Sequence, residues 1–203
     1  MLGITGGVGS GKSTVLDILK NDYGAFIISC DEVARGLQKR GGKCFADIVA
    51  LFGEQILRPD GEPDRSRIAD LVFADPELLG RLEQIVHPAV KREIQSMAEN
   101  AGNGLIVIES ALLLQAGYDT VCRKIWYVYA SEIVRRARLR SSRGYTDERI
   151  SRMFAAQESE DWYRSRADYV IDNDSAGFDG LKIQIEKGLR ENGVLHYSQR
   201  QQR

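Results

Sequence analysis

One short stretch near the start of the chain limits what this sequence can fold into. Residues Gly6–Ser13 read GGVGSGKS and match the pattern G-x-x-x-x-G-K-[ST] in full, with the apolar run Leu2–Thr5 before them and the helical pattern Lys12–Asp22 overlapping their end. Glycines let a backbone turn several N–H groups towards one anion, and the N-terminus of the following helix attracts the same negative charge. The stretch therefore predicts a nucleoside-triphosphate site between a strand and a helix.

Each part of this loop has an expected contact with the nucleotide. We expect Lys12 to reach the β- and γ-phosphates, the Ser13 hydroxyl to ligate Mg²⁺ and Thr14 to contact the α-phosphate. A chance match in a glycine-rich loop is the alternative, which the strand and helix on either side disfavour. The remaining residues expected to bind ATP are Gly7, Val8, Gly9, Ser10 and Gly11.

Short apolar runs separated by helical patterns predict the fold class. After Leu2–Thr5 such runs recur at Ala25–Ser29, Leu105–Glu109, Ile125–Tyr129 and Tyr169–Asp172. Runs of this length without strict polar alternation are typical of parallel strands covered on both faces, joined by right-handed crossovers. We therefore predict an α/β fold of the P-loop NTPase type, a three-layer α/β/α arrangement with a five-stranded parallel sheet.

Two insertions interrupt this core. The first, about 31–103, contains amphipathic stretches and predicts a helical substrate lobe; its helices are expected at 32–39, 43–53, 65–74, 76–86 and 88–100. The second, about 131–160, reads as a charged helical pair broken around Ser141–Tyr145 and predicts a lid. A last helix is expected at 178–191, before a polar tail at Tyr197–Arg203. The whole chain, 1–203, then forms a single P-loop domain, with its core at 1–30, 104–130 and 161–203.

Charge and composition exclude several classes of partner. The 28 Lys and Arg residues nearly balance the 29 Asp and Glu residues, whereas nucleic-acid binders usually carry a large positive field. No apolar run approaches the roughly 18 residues of a membrane span, and no leader pattern follows Met1. Cys30, Cys44 and Cys122 are an odd number at unrelated spacings, which favours reduced thiols. We expect a cytoplasmic protein with no nucleic-acid or membrane partner, a monomer or weak homo-oligomer.

The loop motif is shared by switch GTPases, motor ATPases and small-molecule kinases. The sequence has no Asn-Lys-x-Asp guanine reader, and 203 residues are few for a motor ATPase. A basic lid instead favours a kinase. A nucleoside-monophosphate or small-metabolite kinase, and a nucleotide-binding regulator that hydrolyses ATP slowly or not at all, remain as alternatives.

The predicted lid concentrates positive charge. Between residues 135 and 152 stand seven arginines against Asp147 and Glu148. Arg136, Arg140 and Arg143 are spaced four and three apart and so share one helical face. Arginine suits phosphate because its planar fork is always charged. The alternative for any one of these arginines is a solvated basic face.

A carboxylate follows the second predicted strand. Asp31 is expected at the carboxyl edge of the sheet, where ligands of open α/β sheets bind. It can accept the proton of an attacking hydroxyl or help to position Mg²⁺. The alternative is that Asp31 merely caps the next helix.

Four segments together resemble the dephospho-CoA kinase family. Thr5–Thr14 resembles the opening of that family, Asp31–Arg35 the end of its Asp-x-Asp-x-x-Ala-Arg motif, Ile85–Pro88 its His-Pro step and Ala167–Asn173 its closing strand and turn. The resemblance spans nearly the whole chain, in the right order. It implies a strand order of 2-3-1-4-5 and transfer of the γ-phosphate of ATP to the ribose 3′-hydroxyl of dephospho-CoA.

The resemblance also implies roles for individual residues. Asp31 would handle the acceptor proton, and Arg35 and His87 would bind the acceptor. A lid arginine would close over ATP, with Arg140 the first choice and Arg143 the second, and Asn173 would belong to a turn that contacts adenine. The structural alternative for His87 is that Pro88 begins a helix there.

Two positions depart from the family pattern. Ser29 stands where the family has the first Asp of its Asp-x-Asp pair, so that only Asp31 is left for the acceptor role. Gln115 stands where the family has a glutamate. Glu109, at the end of its own strand, is an alternative source of a carboxylate.

Overall fold

A computed structural model describes residues 1–193 of the chain. These residues form two compact units: Met1–Ile28 joins the chain from Ala101 onwards in the first unit, and Ser29–Asn100 forms the second. The predicted tail Tyr197–Arg203 lies outside the described residues. Within 1–193, no helix combines the length and the apolar character needed to cross a bilayer.

The described part of the chain contains one five-stranded parallel sheet. Its strands are β1 (Leu2–Thr5), β2 (Phe26–Ser29), β3 (Ile106–Glu109), β4 (Lys124–Tyr129) and β5 (Tyr169–Asp172). They are ordered β2-β3-β1-β4-β5, which confirms the order that the resemblance implied. Because the strands are parallel, the segments that follow them all leave from one edge.

The register places particular side chains together at that edge. On β1, Ile4 pairs with Glu109 of β3. On the other side of β1, Thr5 pairs with Tyr127 of β4. Further along β4, Tyr129 pairs with Asp172 of β5. The ends of β1, β3 and β5 therefore carry the loop at Gly6, the Glu109 carboxylate and the turn at Asn173.

The helices connect these strands. In the first unit they are α1 (Lys12–Tyr23), α6 (Glu132–Arg143), α7 (Asp147–Ala155), α8 (Glu160–Arg164) and α9 (Gly177–Glu191). In the second unit they are α2 (Cys30–Gln38), α3 (Phe45–Phe52), α4 (Arg65–Ala74) and α5 (Pro76–Asn100). The predicted lid thus contains α6 and α7, and α6 runs to Arg143 through the predicted break at Ser141.

An apolar core holds α1 and α9 against the sheet. Ile4 of β1, Trp126 of β4 and Leu19 of α1 are almost completely buried in one cluster. Ile185 of α9 is buried in the same cluster. At about 25 cal/mol per Å² of apolar surface, burial of such side chains is the main favourable contribution to folding. The start of α1, and with it the phosphate loop, is therefore built on the rigid centre of the first unit.

One sequence prediction is wrong in the second unit. The two helices expected at 76–86 and 88–100 form one helix of 25 residues, and Pro88 lies inside it rather than at a start. A proline removes one hydrogen bond of the helix, but tertiary packing outweighs that loss. The buried residues Val86, Val90 and Ile94 continue a single apolar stripe across Pro88.

Candidate active site

The loop after β1 has the backbone that its glycines predict. Gly9 and Gly11 have φ angles of 80° and 91°, in the left-handed region that residues with a Cβ atom rarely adopt. Gly11 is the N-cap of α1 and makes no side-chain cap. The cap residue therefore offers no side-chain oxygen to the first N–H groups of α1. These donors can then bind an anion at the N-terminus of the helix.

Lys12 lies between the loop and the end of β3. Its Nζ donates a 2.8 Å hydrogen bond to the Gly6 carbonyl and lies 4.0 Å from Oε1 of Glu109. Both side chains are mostly buried, at 15% and 19% exposure. A cation and a carboxylate are therefore fixed at the point where the transferring phosphate is expected.

The oxygen atoms at this point suit a hard cation. Ser13 is the second residue of α1 and is exposed, and Glu109 adds a carboxylate at the end of β3. Hydroxyl and carboxylate oxygens are ligands that Mg²⁺ prefers. The donor set of the site therefore fits the magnesium ion that the loop motif implies.

Side chains from the turn after β5 and from α6 contact the outside of the loop. The amide Nδ2 of Asn173, which is 6% exposed, donates a 2.7 Å hydrogen bond to the Ser10 carbonyl. Arg138 donates to the same Ser10 carbonyl at 3.2 Å and to the Asn173 carbonyl at 2.8 Å. Asn173 thus contacts the phosphate loop directly, and its predicted role beside adenine stays a prediction.

The arginines of α6 divide between two faces of the helix. Arg135 and Arg138 lie on the phosphate loop, because Arg135 Nε donates to the Val8 carbonyl at 2.8 Å. The face predicted to bind ATP is instead paired within the lid. Arg136 and Arg140 both contact the Asp147 carboxylate of α7.

Arg135 and Arg138 are contacts of the loop that the sequence pattern did not predict. The available signal was Leu139, the one buried residue of α6. At about 100° per residue, Arg135 and Arg138 lie on one side of Leu139 and Arg140 and Arg143 lie on the other, so this signal separates two faces without identifying the one on the loop. The four-and-three spacing and the family resemblance selected the other face, where Arg140 has a side-chain exposure of 55%.

A stack of aromatic rings borders Arg135. The rings of Tyr127 on β4 and Tyr163 on α8 are 5.0 Å apart and nearly parallel, at 4°. Burial, opposed by the charge of Arg135, raises the pKa of Tyr127 to about 12. Gln115, the residue that departs from the family pattern, donates a 3.3 Å hydrogen bond to the Tyr163 hydroxyl. Gln115 therefore supports this wall as an uncharged hydrogen-bond donor.

The acceptor residues predicted from sequence belong to the second unit. Asp31 is exposed in the first turn of α2, and Arg35 is exposed in the same helix. The cap of α2 is Ser29, whose hydroxyl accepts from the Glu32 N–H at 3.4 Å. The alternative in which Asp31 caps this helix is therefore wrong, because the preceding turn already supplies the cap.

His87 is half-buried in the middle of α5. Burial lowers the pKa of its imidazole, which Glu83 opposes and Lys91 reinforces. The prediction that His87 marks the start of a helix is wrong, for the reason given for Pro88. Its predicted contact with the acceptor stays a prediction.

Comparison with known proteins identifies relatives along nearly the whole chain. A family model described as dephospho-CoA kinase matches residues 1–179. A dephospho-CoA kinase of Symbiobacterium thermophilum is 37% identical over 193 residues, which cover 94% of this chain and 80% of that protein. One of Aquifex aeolicus is 34% identical over 191 residues, 94% of this chain and 96% of that protein.

Solved structures give the same fold. A crystal structure from Thermus thermophilus has a TM-score of 0.81 at 30% identity, covering 94% of this chain and 96% of that one. A dephospho-CoA kinase from Campylobacter jejuni has a TM-score of 0.67 at 22% identity, covering 94% and 95%. With the sheet order and the Lys12 loop, these matches show that the chain belongs to the dephospho-CoA kinase family and catalyses the ATP-dependent phosphorylation of dephospho-CoA to coenzyme A.

Proposed function

We propose that the γ-phosphate of ATP is transferred to the ribose 3′-hydroxyl of dephospho-CoA by residues of the phosphate loop, α2 and the lid. The observation that carries this proposal is the exposed Asp31 carboxylate in a helix that Ser29 already caps. A ribose hydroxyl is a weak nucleophile, and a carboxylate within hydrogen-bond reach can orient it and accept its proton. Asp31 is therefore our candidate for the general base.

The phosphate loop supplies binding and electrostatic stabilisation. The N–H groups of residues 7–14 bind the phosphates, and Lys12 stabilises the charge on the oxygens of the transferring group. Ser13 would hold Mg²⁺, with Glu109 close to Lys12 as a further oxygen donor. When bound, the ion neutralises charge on the β- and γ-phosphates.

The remaining roles concern closure and the acceptor. Arg140 would leave Asp147 and contact ATP when the lid closes, with Arg143 as the second choice. Arg35 and His87 would bind dephospho-CoA, and the turn at Asn173 would contact adenine. In this proposal positioning and electrostatics supply most of the catalysis, as in other phosphoryl transfers.

We also propose that the enzyme works in the cytoplasm as a monomer or weak homo-oligomer. The near balance of charges supports small-molecule substrates rather than nucleic acid. Cys44 and Cys122 are free thiols in the structure, which agrees with a reducing compartment.

An acceptor panel tests the proposed function. ADP release is measured with dephospho-CoA, AMP, CMP and shikimate in parallel, and the phosphorylated product is digested with a 3′-nucleotidase. We expect release to depend on dephospho-CoA and the new phosphate to be removed by the 3′-specific enzyme. Equal stimulation by AMP or shikimate, or a product that resists the 3′-nucleotidase, would contradict the proposal.

A further inference from the structure

Arg135 contacts the phosphate loop from the first helix of the lid. Its Nε donates a 2.8 Å hydrogen bond to the Val8 carbonyl. The guanidinium also covers Gly7, since a Cβ atom built on that glycine would lie 2.6 Å from Nη2 of Arg135. Arg135 therefore touches the same loop that binds the phosphates, from the side of α6.

The same guanidinium also contacts the other end of the lid. Nη2 donates to the side-chain oxygen of Gln157, which follows α7. The guanidinium carbon lies 4.2 Å from the ring centroid of Phe154, within α7. One half-buried side chain thus joins the loop at Val8 to the segment by which the chain leaves α7.

Peptide geometry gives this contact a consequence for the loop. A trans peptide is planar, and its C=O and N–H groups point in opposite directions. A hydrogen bond that holds the Val8 carbonyl towards α6 therefore directs the N–H of Gly9 away from α6. Asn173 and Arg138 hold the Ser10 carbonyl in the same way and so fix the N–H of Gly11.

We propose that Arg135 is a positioning residue for phosphate binding: it fixes the Val8–Gly9 peptide so that the Gly9 N–H faces the phosphates. Because Gln157 and Phe154 hold Arg135, this peptide orientation is coupled to the position of the lid. The inference rests on the proposed binding of ATP phosphates by the loop Gly6–Ser13. It differs from the proposed roles of Arg140 and Arg143, which act on ATP directly.

The side chain is suited to this role. Three parts of the guanidinium make contacts at the same time. Nε donates to the loop, Nη2 donates to Gln157, and the flat face of the group packs on the ring of Phe154. A lysine has one terminal ammonium and no planar face, so it can restore only part of this arrangement. Alanine removes all three contacts.

The experiment compares Arg135→Ala and Arg135→Lys with the wild-type enzyme. Arg149→Ala is the matched control, since it removes an exposed lid arginine that stacks 3.8 Å from the Tyr145 ring centroid. Affinity is measured by calorimetry for ATP and for tripolyphosphate, which carries phosphates and no adenosine. KM for dephospho-CoA, kcat and thermal unfolding are measured for the same proteins.

We expect Arg135→Ala to weaken ATP and tripolyphosphate by the same factor, roughly tenfold to a hundredfold, as loss of a charged hydrogen bond predicts. Arg135→Lys should recover part of that loss, and Arg149→Ala should match the wild type. KM for dephospho-CoA should stay within about twofold. The proposal would be overturned if Arg135→Ala bound ATP and tripolyphosphate with the same affinities as the wild-type enzyme does.

A spectroscopic readout covers the case in which Arg135→Ala does not fold. In ¹⁵N-labelled Arg135→Lys, tripolyphosphate should shift the Gly9 amide resonance less than it does in the wild type at saturation. An identical Gly9 shift would overturn the proposal. Wild-type enzyme that binds tripolyphosphate but releases no ADP in response to dephospho-CoA would instead contradict only the proposed function.

Discussion

The side chain of Asn173 is hydrogen-bonded to the carbonyl of Ser10 over 2.7 Å, although 163 positions separate the two residues in the chain. Asn173 follows β5, and Ser10 lies in the loop after β1. The contact leaves no room for a side chain at Gly11, because a Cβ atom there would run into Nδ2 of Asn173. The shape of the loop is thus constrained by a side chain from a distant part of the sequence as well as by its own glycines.

Gly11→Ala should therefore weaken ATP binding. The added methyl group collides with Asn173, and the φ of 91° is strained for alanine. We expect a loss on the order of 1–3 kcal/mol in unfolding free energy, measured by urea denaturation, with weaker ATP binding by calorimetry. Gly36→Ala is the control: nothing lies within 4 Å of its Cβ position in α2, so it should be neutral or slightly stabilising.

Lys12→Ala should lower kcat by roughly 10²–10³-fold, because it removes a cation aimed at the transferring group. The variant should stay folded, because Lys12 is outside the apolar core, and thermal unfolding checks this. Lys20→Ala, in the last turn of the same helix, is the control and should keep full activity. Near-normal turnover of a folded Lys12→Ala enzyme would remove Lys12 from the site.

Asp31→Asn should lose transfer to dephospho-CoA by roughly 10²–10⁴-fold while binding ATP almost normally, because the amide keeps the shape of the carboxylate without its basicity. Calorimetry with ATP and ADP release with dephospho-CoA separate the two effects. Glu32→Gln, at the next position in α2, is the control. If Asp31→Asn keeps most of its activity, the base has to be sought elsewhere, first at Glu109.

Arg140→Ala should lower kcat more than ATP affinity, because its contact with ATP forms only on lid closure. Steady-state kinetics and calorimetry measure the two quantities, with Arg143→Ala in parallel. An effect confined to Arg143→Ala would move the role to that residue. If both variants behave as the wild type, the exposed face of α6 is a solvated basic surface.

Asp168→Asn should reduce stability in a pH-dependent way. Burial by itself raises the pKa of Asp168, but hydrogen bonds from the Lys124 ammonium and the Ile125 N–H outweigh it and lower the pKa. A carboxylate whose pKa is lower in the folded state than in the unfolded state stabilises the protein at pH values above the unfolded pKa of about 3.9. This stabilisation is lost as the pH falls through the folded-state pKa. The Tm difference from wild type should therefore shrink below about pH 4. Asp70→Asn, which changes an exposed carboxylate of α4, is the control and should leave the Tm close to that of the wild type.

Several parts of the fold were determined by local sequence. The GGVGSGKS stretch requires a strand, a tight loop and a helix in that order, because only glycine adopts the φ values found at Gly9 and Gly11 without strain. The apolar runs predicted all five strands to within about one residue, since buried parallel strands need continuous apolar side chains. The family resemblance then supplied the strand order and the activity.

Tertiary structure decided which charged side chains meet and where helices end. Pro88 remains inside α5 because the apolar stripe from Val86 to Ile94 is buried on both sides of it, which local propensity does not report. Arg135 and Arg138, rather than the more conspicuous Arg140, contact the phosphate loop because packing places their side of the buried Leu139 against it. Charge spacing along a helix identifies faces, but only packing determines which face lies on the loop, since burial of Leu139 fixes the rotation of the helix.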